Sequence, residues 1–117
     1  MLTEVVYADE FFRAARKLQK RYPHLFDDVD ALADQLEAGE KPGDRLQGLE
    51  YKAYRVRIQN RDAQRGKSGG FRIIYYLEGD HQVVFITIYS KSDQSDIPTE
   101  KLRRFIAEYK GQSPPKK

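Results

Sequence analysis

The chain has 117 residues, of which 39% are hydrophobic and 33% are charged, enough for one domain with a modest core. It contains no cysteine, which excludes disulfides and thiolate metal sites, and no apolar run approaches the roughly 20 residues of a membrane span. Because the N-terminus also lacks the basic and apolar regions of a signal peptide, we expect a cytoplasmic protein.

The net charge of +3 is distributed unevenly along the chain. Residues 1–44 carry 6 Lys/Arg against 10 Asp/Glu, residues 45–75 carry 8 against 2, and residues 76–117 carry 7 against 6. The basic middle segment favours nucleic acid as the partner, while strands that expose Lys and Arg for solubility are the alternative.

The first part of the chain predicts a strand followed by a helical hairpin. Residues 2–7 are short and β-prone, and apolar residues then recur at helical spacing from Phe11 to Tyr22 and from Leu25 to Leu36. Pro23 separates the two helices, and Gly39 is a natural terminator for the second.

The second part predicts three consecutive strands and a last helix. Residues 54–58 and 71–77 alternate in polarity, residues 82–90 are apolar on both faces, and Thr99 can cap a final helix. The predicted order is β-α-α-β-β-β-α, with a small antiparallel sheet in an α+β domain over residues 1–110. Residues 111–117 predict a flexible tail.

Two familiar kinds of site are excluded by residue spacing. Gly66-Lys67-Ser68 looks like part of a P-loop, but Arg61 stands where that motif needs its first glycine, and a strand follows instead of a helix. The segment remains either a glycine-rich phosphate nest or a flexible hairpin loop. His24 and His81 fall in different elements without partners at metal-ligand spacing, so we assign neither a metal nor another cofactor.

Cations on the three strands are the remaining candidates for chemistry. RNA is cleaved when its own 2′-hydroxyl attacks the neighbouring phosphorus, provided that the protein holds the phosphate, stabilises its charge and assists proton transfer. Arginine forks suit phosphate oxygens, and lysine is the better proton carrier. Salt bridges to the acidic helices are the alternative role of these arginines. The candidate catalytic residues are Arg55, Arg57, Arg72 and Lys91, and the candidate RNA-binding residues are Lys52, Arg65, Lys67 and Tyr89.

At these residues the sequence resembles the RelE/HigB family of type II toxins, within the RelE/ParE superfamily. The resemblance is carried by Arg55-Val56-Arg57, by GKSGGFRIIYY at residues 66–76 and by IYSKSDQSDI at residues 88–97. It implies a RelE-like fold, a toxin that binds the ribosomal A site and cleaves mRNA there, and a cognate antitoxin. By position, it implies that Arg55 and Arg57 orient the substrate and that Arg72 stabilises negative charge on the phosphate. It also implies that Lys91 assists near the leaving or attacking oxygen.

The sequence also departs from the family pattern. Well-known members carry lysines where Arg55 and Arg57 stand, and a tyrosine where this chain has Ile97. The general acid and base are therefore left unassigned. Two alternatives to the nuclease stay open: a ParE-like toxin that inhibits DNA gyrase, and a catalytically weak homologue that only binds its antitoxin.

Overall fold

The computed structural model describes residues 3–59, 70–94 and 96–112. Three helices pack on one five-stranded sheet, which confirms the predicted α+β class. The elements in chain order are β1 (Glu4–Tyr7), α1 (Asp9–Gln19), α2 (Leu25–Glu37), β2 (Asp44–Arg45), β3 (Ala53–Ile58), β4 (Phe71–Glu78), β5 (Gln82–Ser90) and α3 (Thr99–Gln112).

The sheet is mixed, with the strand order β1-β5-β4-β3-β2. The pairs β2–β3, β3–β4 and β4–β5 are antiparallel. The pair β1–β5 is parallel, with Val5 opposite Val83. The sheet therefore differs from the wholly antiparallel one expected, and it also contains the two-residue strand β2. The difference arises because a local residue pattern indicates that a strand forms but not whether it runs parallel or antiparallel to the strand beside it.

Both faces of the sheet are covered, so residues 83–90 of β5 are buried throughout, as predicted. Helices α1 and α2 cover one face, where Phe11, Leu25 and Phe85 belong to the larger core cluster. Helix α3 covers much of the other face through Ile106, which packs in a cluster with Tyr76. We call this second side the α3 face.

The helix ends follow local sequence signals. Helix α1 ends at Gln19, so Tyr22 follows the helix instead of continuing it. Gly39 has φ +98 and ends α2 as predicted, because its N–H donates to Leu36 O (3.0 Å) while the Glu40 N–H donates to Gln35 O (3.1 Å).

Helix α3 continues through Gln112, and residues 113–117, which make up most of the segment predicted to be a flexible tail, lie outside the described residues. Within the described ranges, no helix has the length and apolar character needed to cross a membrane.

A β-bulge in β5 determines which residues point to the α3 face. Ile74 pairs with Thr87 but Tyr75 pairs with Phe85, so Ile86 is an extra residue in β5. Without it, strict alternation from Phe85 would place Tyr89 on the α1 and α2 side. The bulge instead turns Tyr89 towards the α3 face.

Candidate nucleic-acid interface

Two arginines and a tyrosine form a row across three strands. Arg57 on β3 pairs with Arg72 on β4, and Arg72 pairs with Tyr89 on β5. Cross-strand partners share a face and lie about 5 Å apart at Cα, so the three side chains start as neighbours. Arg55 lies two residues before Arg57 on the same face, one row away.

These arginines line an open cleft of about 380 Å³. Its walls come from β2, β3, β4 and the residue before β2, so the short strand β2 contributes a side of the site that sequence patterns did not predict. The lining residues are Gly43, Asp44, Arg55, Val56, Arg57 and Arg72. A concave surface with three guanidinium groups can hold more than one oxygen of a phosphodiester.

Arg72 presents an unsatisfied donor. Its Nη1 atom is buried and has no hydrogen-bond partner among the described residues. A buried N–H without a partner costs free energy, about 1–3 kcal/mol and more for a charged group, so this geometry favours binding of an acceptor. A phosphate oxygen is the acceptor that the guanidinium fork suits best.

Asp96 lies between β5 and α3 and contacts both Arg55 of the cleft and Tyr89 near the end of β5. Its Oδ2 accepts a hydrogen bond from Arg55 Nη1 at 2.9 Å. Its Oδ1 accepts hydrogen bonds from the Tyr89 hydroxyl at 3.1 Å and from the Ile97 N–H at 2.9 Å. The alternative role of these arginines was salt bridging to the acidic helices. Arg55 pairs instead with a carboxylate that lies beside the site, between β5 and α3.

The same contacts fix the protonation of both partners. Burial, then the charge and hydrogen bond of Asp96, raise the pKa of Tyr89 to about 12, although Arg55 and Arg72 act in the other direction. Burial opposes ionisation of Asp96, but the Ile97 N–H and the charge of Arg55 outweigh it and lower the pKa of this carboxyl. At neutral pH, Tyr89 is thus a donor and Asp96 an ionised acceptor.

Lys91 is exposed in the turn that follows β5. Its backbone N–H donates to Gly70 O at 3.2 Å, which joins this turn to the residue that precedes β4. Since Arg72 lies two residues after Gly70, Lys91 is held near the arginine row by its backbone.

Of the remaining predicted RNA-binding residues, Lys52 lies within the described ranges, and it is distant from the arginine row. Lys52 precedes β3 at the end away from Arg57, about 16 Å along the strand. Arg65 and Lys67, with the possible phosphate nest around them, lie outside the described residues. His24 immediately precedes α2 and His81 lies in the turn before β5, and neither lines the arginine cleft. The described ranges hold no cluster of three His, Asp or Glu that could bind a metal.

Asp96 is the residue that sequence reasoning missed. The available signal was its position, five residues after Lys91 in a short polar segment that leads to Ile97. The segment holds two carboxylates, Asp93 and Asp96, and sequence alone does not show which of them meets an arginine of β3, because β4 lies between β3 and β5. Asp44 was missed for the same reason, because only its pairing with Arg55 brings it to the cleft.

Comparison with protein families identifies the chain. Residues 6–111 match the family described as the RelE toxin of the RelE/RelB toxin–antitoxin system. The chain belongs to the RelE toxin family. The resemblance seen in the basic strands therefore holds at the level of the family, and membership implies an antitoxin of the RelB type as a partner. A search of curated proteins found no match to the chain.

Proposed function

We propose that this RelE-family toxin is a ribosome-dependent endoribonuclease that cleaves mRNA in the A site and so inhibits translation. The observation that carries the proposal is the buried Nη1 of Arg72, which has no hydrogen-bond partner among the described residues and belongs to the residue opposite Arg57 on the neighbouring strand. A partly buried guanidinium beside a second one favours a ligand with two or three anionic oxygens. A phosphodiester in a single RNA strand has this character and can enter a cleft that is open to solvent.

The proposed reaction uses the substrate's own nucleophile and needs no metal ion. The 2′-oxygen attacks the adjacent phosphorus, the bond from phosphorus to the 5′-oxygen breaks, and the products are a 2′,3′-cyclic phosphate and a 5′-hydroxyl. Arg55 and Arg57 orient the phosphate, and Arg72 stabilises the negative charge that grows on its oxygens. Lys91 is assigned to the departing 5′-oxygen because its ammonium group can donate a proton.

The ribosome has a physical role in this scheme. The arginine cleft is open and contacts only a few atoms of a substrate, so it cannot by itself hold the 2′-oxygen in line with the leaving oxygen. Binding in the A site supplies that orientation, which is worth several orders of magnitude in effective concentration. We expect naked RNA to be cut poorly for this reason.

The antitoxin acts on the same surface in this proposal. A segment of the RelB-type partner with acidic residues near Arg55 and Arg72 would compete with the phosphodiester for both guanidinium groups. Binding of the antitoxin and of RNA would then exclude each other.

The test is primer extension on a defined mRNA in a reconstituted translation reaction. Wild type is compared with Arg72→Ala and with Arg104→Ala, which removes an exposed arginine on α3 outside the cleft. We expect ribosome-dependent stops with wild type and Arg104→Ala, and a loss of about 100-fold or more with Arg72→Ala. A 2′-deoxy nucleotide at the cut position should abolish cleavage.

Two outcomes would overturn the proposal. One is cleavage by folded Arg72→Ala at the wild-type rate, which would remove the cleft from the chemistry. The other is a complete absence of stops from well-folded wild type, after which inhibition of DNA supercoiling by gyrase would be measured.

A further inference from the structure

The carboxylate of Asp96 lies beside a cleft that is otherwise built for anions. Its distance of 2.9 Å from Arg55 places a negative charge next to the groups that would bind phosphate. Such a charge weakens phosphate binding, so a role in binding alone does not explain it.

Its hydrogen bonds leave one acceptor position available. A carboxylate can accept about four hydrogen bonds, two at each oxygen. Tyr89 and Ile97 occupy both positions on Oδ1, while Arg55 occupies one on Oδ2. The Asp96 side chain is 55% exposed, so the remaining position on Oδ2 can be reached by a substrate in the cleft.

The alternatives near the arginine row are poorer proton acceptors. Arginines stay charged at any pH that the protein survives. A second carboxylate, Asp44, lines the cleft opposite Arg55 on β2, and no hydrogen bond orients its side chain among the described residues. Asp96, in contrast, is held by three donors from β3, β5 and its own segment.

We propose that Asp96 is the general base of the cleavage reaction and that Tyr89 and the Ile97 N–H are the groups that position it. This inference rests on the proposed function. As the bond between the 2′-oxygen and phosphorus forms, Oδ2 of Asp96 takes the 2′-hydroxyl proton. The 5′-oxygen departs with a proton from the Lys91 ammonium, and the proton on Asp96 then passes to water while Lys91 regains one from water.

Tyr89 acts through Asp96 and not on the substrate. Its side chain belongs to a residue only 5% exposed, which keeps the ring out of the cleft while its hydroxyl reaches Oδ1. The β-bulge at Ile86 is what brings this hydroxyl to the α3 face. The proposal thus gives the bulge a consequence for the chemistry.

The experiment is single-turnover cleavage of ribosome-bound mRNA by purified wild type, Asp96→Asn and Asp80→Asn. Each variant removes one exposed aspartate charge, but Asp80 lies in the turn between β4 and β5 and does not line the cleft. We expect Asp96→Asn to lower the cleavage rate about 100-fold to 10,000-fold, with ribosome binding equal or tighter. Asp80→Asn should stay within about threefold of wild type. Equal rates for wild type and folded Asp96→Asn would overturn the inference.

A modified substrate tells which oxygen Asp96 serves. Sulfur in place of the 5′-oxygen leaves without a proton, so it bypasses any general acid but not the base. Asp96→Asn should remain slow on this substrate, whereas Lys91→Ala should recover. Recovery of Asp96→Asn would show that Asp96 acts on the leaving group and would overturn the assignment.

A double variant tests the positioning role of Tyr89. Tyr89→Phe should lower the single-turnover rate about tenfold in the wild-type background and have no further effect when combined with Asp96→Asn. Losses that multiply in the double variant would contradict the role.

Misfolding of Asp96→Asn would not block the test. Asp96→Glu and Asp96→Gln are matched in length and differ in the carboxylate, and the first should cleave at least tenfold faster than the second. Equal rates for the two would overturn the inference. If wild type cleaves mRNA and the two variants cleave at equal rates, only the role of Asp96 is rejected. If wild type itself is inactive, the proposed function is rejected.

Discussion

Arg57 and Arg72 lie directly opposite each other on β3 and β4, with both side chains on the α3 face. Like charges in this relationship repel, at a cost of roughly 0.2–1 kcal/mol. The proposed function accounts for the pair despite this cost, because two neighbouring guanidinium groups can hold an anion.

Replacing Arg57 with glutamine should stabilise the fold. Arg57→Gln removes the repulsion and should raise the free energy of unfolding by a few tenths of a kcal/mol to about 1 kcal/mol at low salt, measured by urea denaturation. The gain should shrink at 1 M salt because exposed charges are screened. Arg45→Gln on β2, opposite Tyr54, is the control and should change stability little. A loss of stability in Arg57→Gln would contradict the prediction.

Arg72→Lys separates the charge of Arg72 from its geometry. Lysine keeps the positive charge but lacks the fork whose buried Nη1 has no partner in the part of the chain that the structure describes. We expect the dependence of ribosome binding on salt to stay at its wild-type slope while the cleavage rate falls about tenfold or more. Filter binding and single-turnover cleavage measure the two quantities. A wild-type rate for Arg72→Lys would mean that charge alone suffices.

Gly70 controls how the β3–β4 hairpin closes beside the cleft. Its φ is +95, and a Cβ there would lie 2.8 Å from the carbonyl oxygen of Ile58. Gly70→Ala should lower the free energy of unfolding by about 1–3 kcal/mol because of this contact. It should also lower the cleavage rate, because Gly70 O accepts a hydrogen bond from the Lys91 N–H. The control is Gly79→Ala, where φ is +71 but nothing lies within 4 Å of the added Cβ. Equal losses in the two variants would show that the contact with Ile58 is unimportant.

Buried tyrosines should make the fold sensitive to alkali. The pKa of Tyr89 rises from 10.0 to about 12, and burial also raises the pKa of Tyr75 and Tyr76. A raised pKa means that the folded state favours the neutral phenol. This stabilisation is complete below pH 10 and is lost as the pH rises through about 12.

Absorbance titration of the phenols can check this. Folded wild type should show a group of late-titrating tyrosines, and Tyr89→Phe should show one fewer near pH 12. Protein unfolded in guanidinium is the control, since its eight tyrosines should titrate together near pH 10. A Tyr89→Phe curve that matches wild type would contradict the assignment.

Much of the fold was predictable because its helices and long strands have clear periodicity. Phe11, Leu18 and Leu36 fall on buried faces of their helices, and β5 is apolar on both sides because helices cover both. Strand β2 was not predictable, since two exposed residues, Asp44 and Arg45, carry no periodic signal. The parallel pairing of β1 also depends on contacts that span nearly eighty residues.

The candidate site was predictable in its cations but not in its carboxylate. Alternation along β3 placed Arg55 and Arg57 on one face, and the register added Arg72 to them. Tyr89 joins this row only because the strand gains a residue at Ile86, which no local pattern announces. Tyr89 in turn holds Asp96 by a hydrogen bond, so the proximity of Asp96 to Arg55 follows from three-dimensional contacts and not from a local sequence pattern.

The central place of β5 has a consequence for incomplete chains. Residues 82–90 pair with both β1 and β4, and Tyr89 and Asp96 come from this strand and the segment after it. A product that stops before residue 82 keeps Arg55, Arg57 and Arg72 on a short ribbon of strands, which is at best marginally stable in water. Toxicity should thus require that β5 and the segment after it have been made, and proteolytic removal of residues 82–117 should inactivate the protein while leaving Arg55, Arg57 and Arg72 in place.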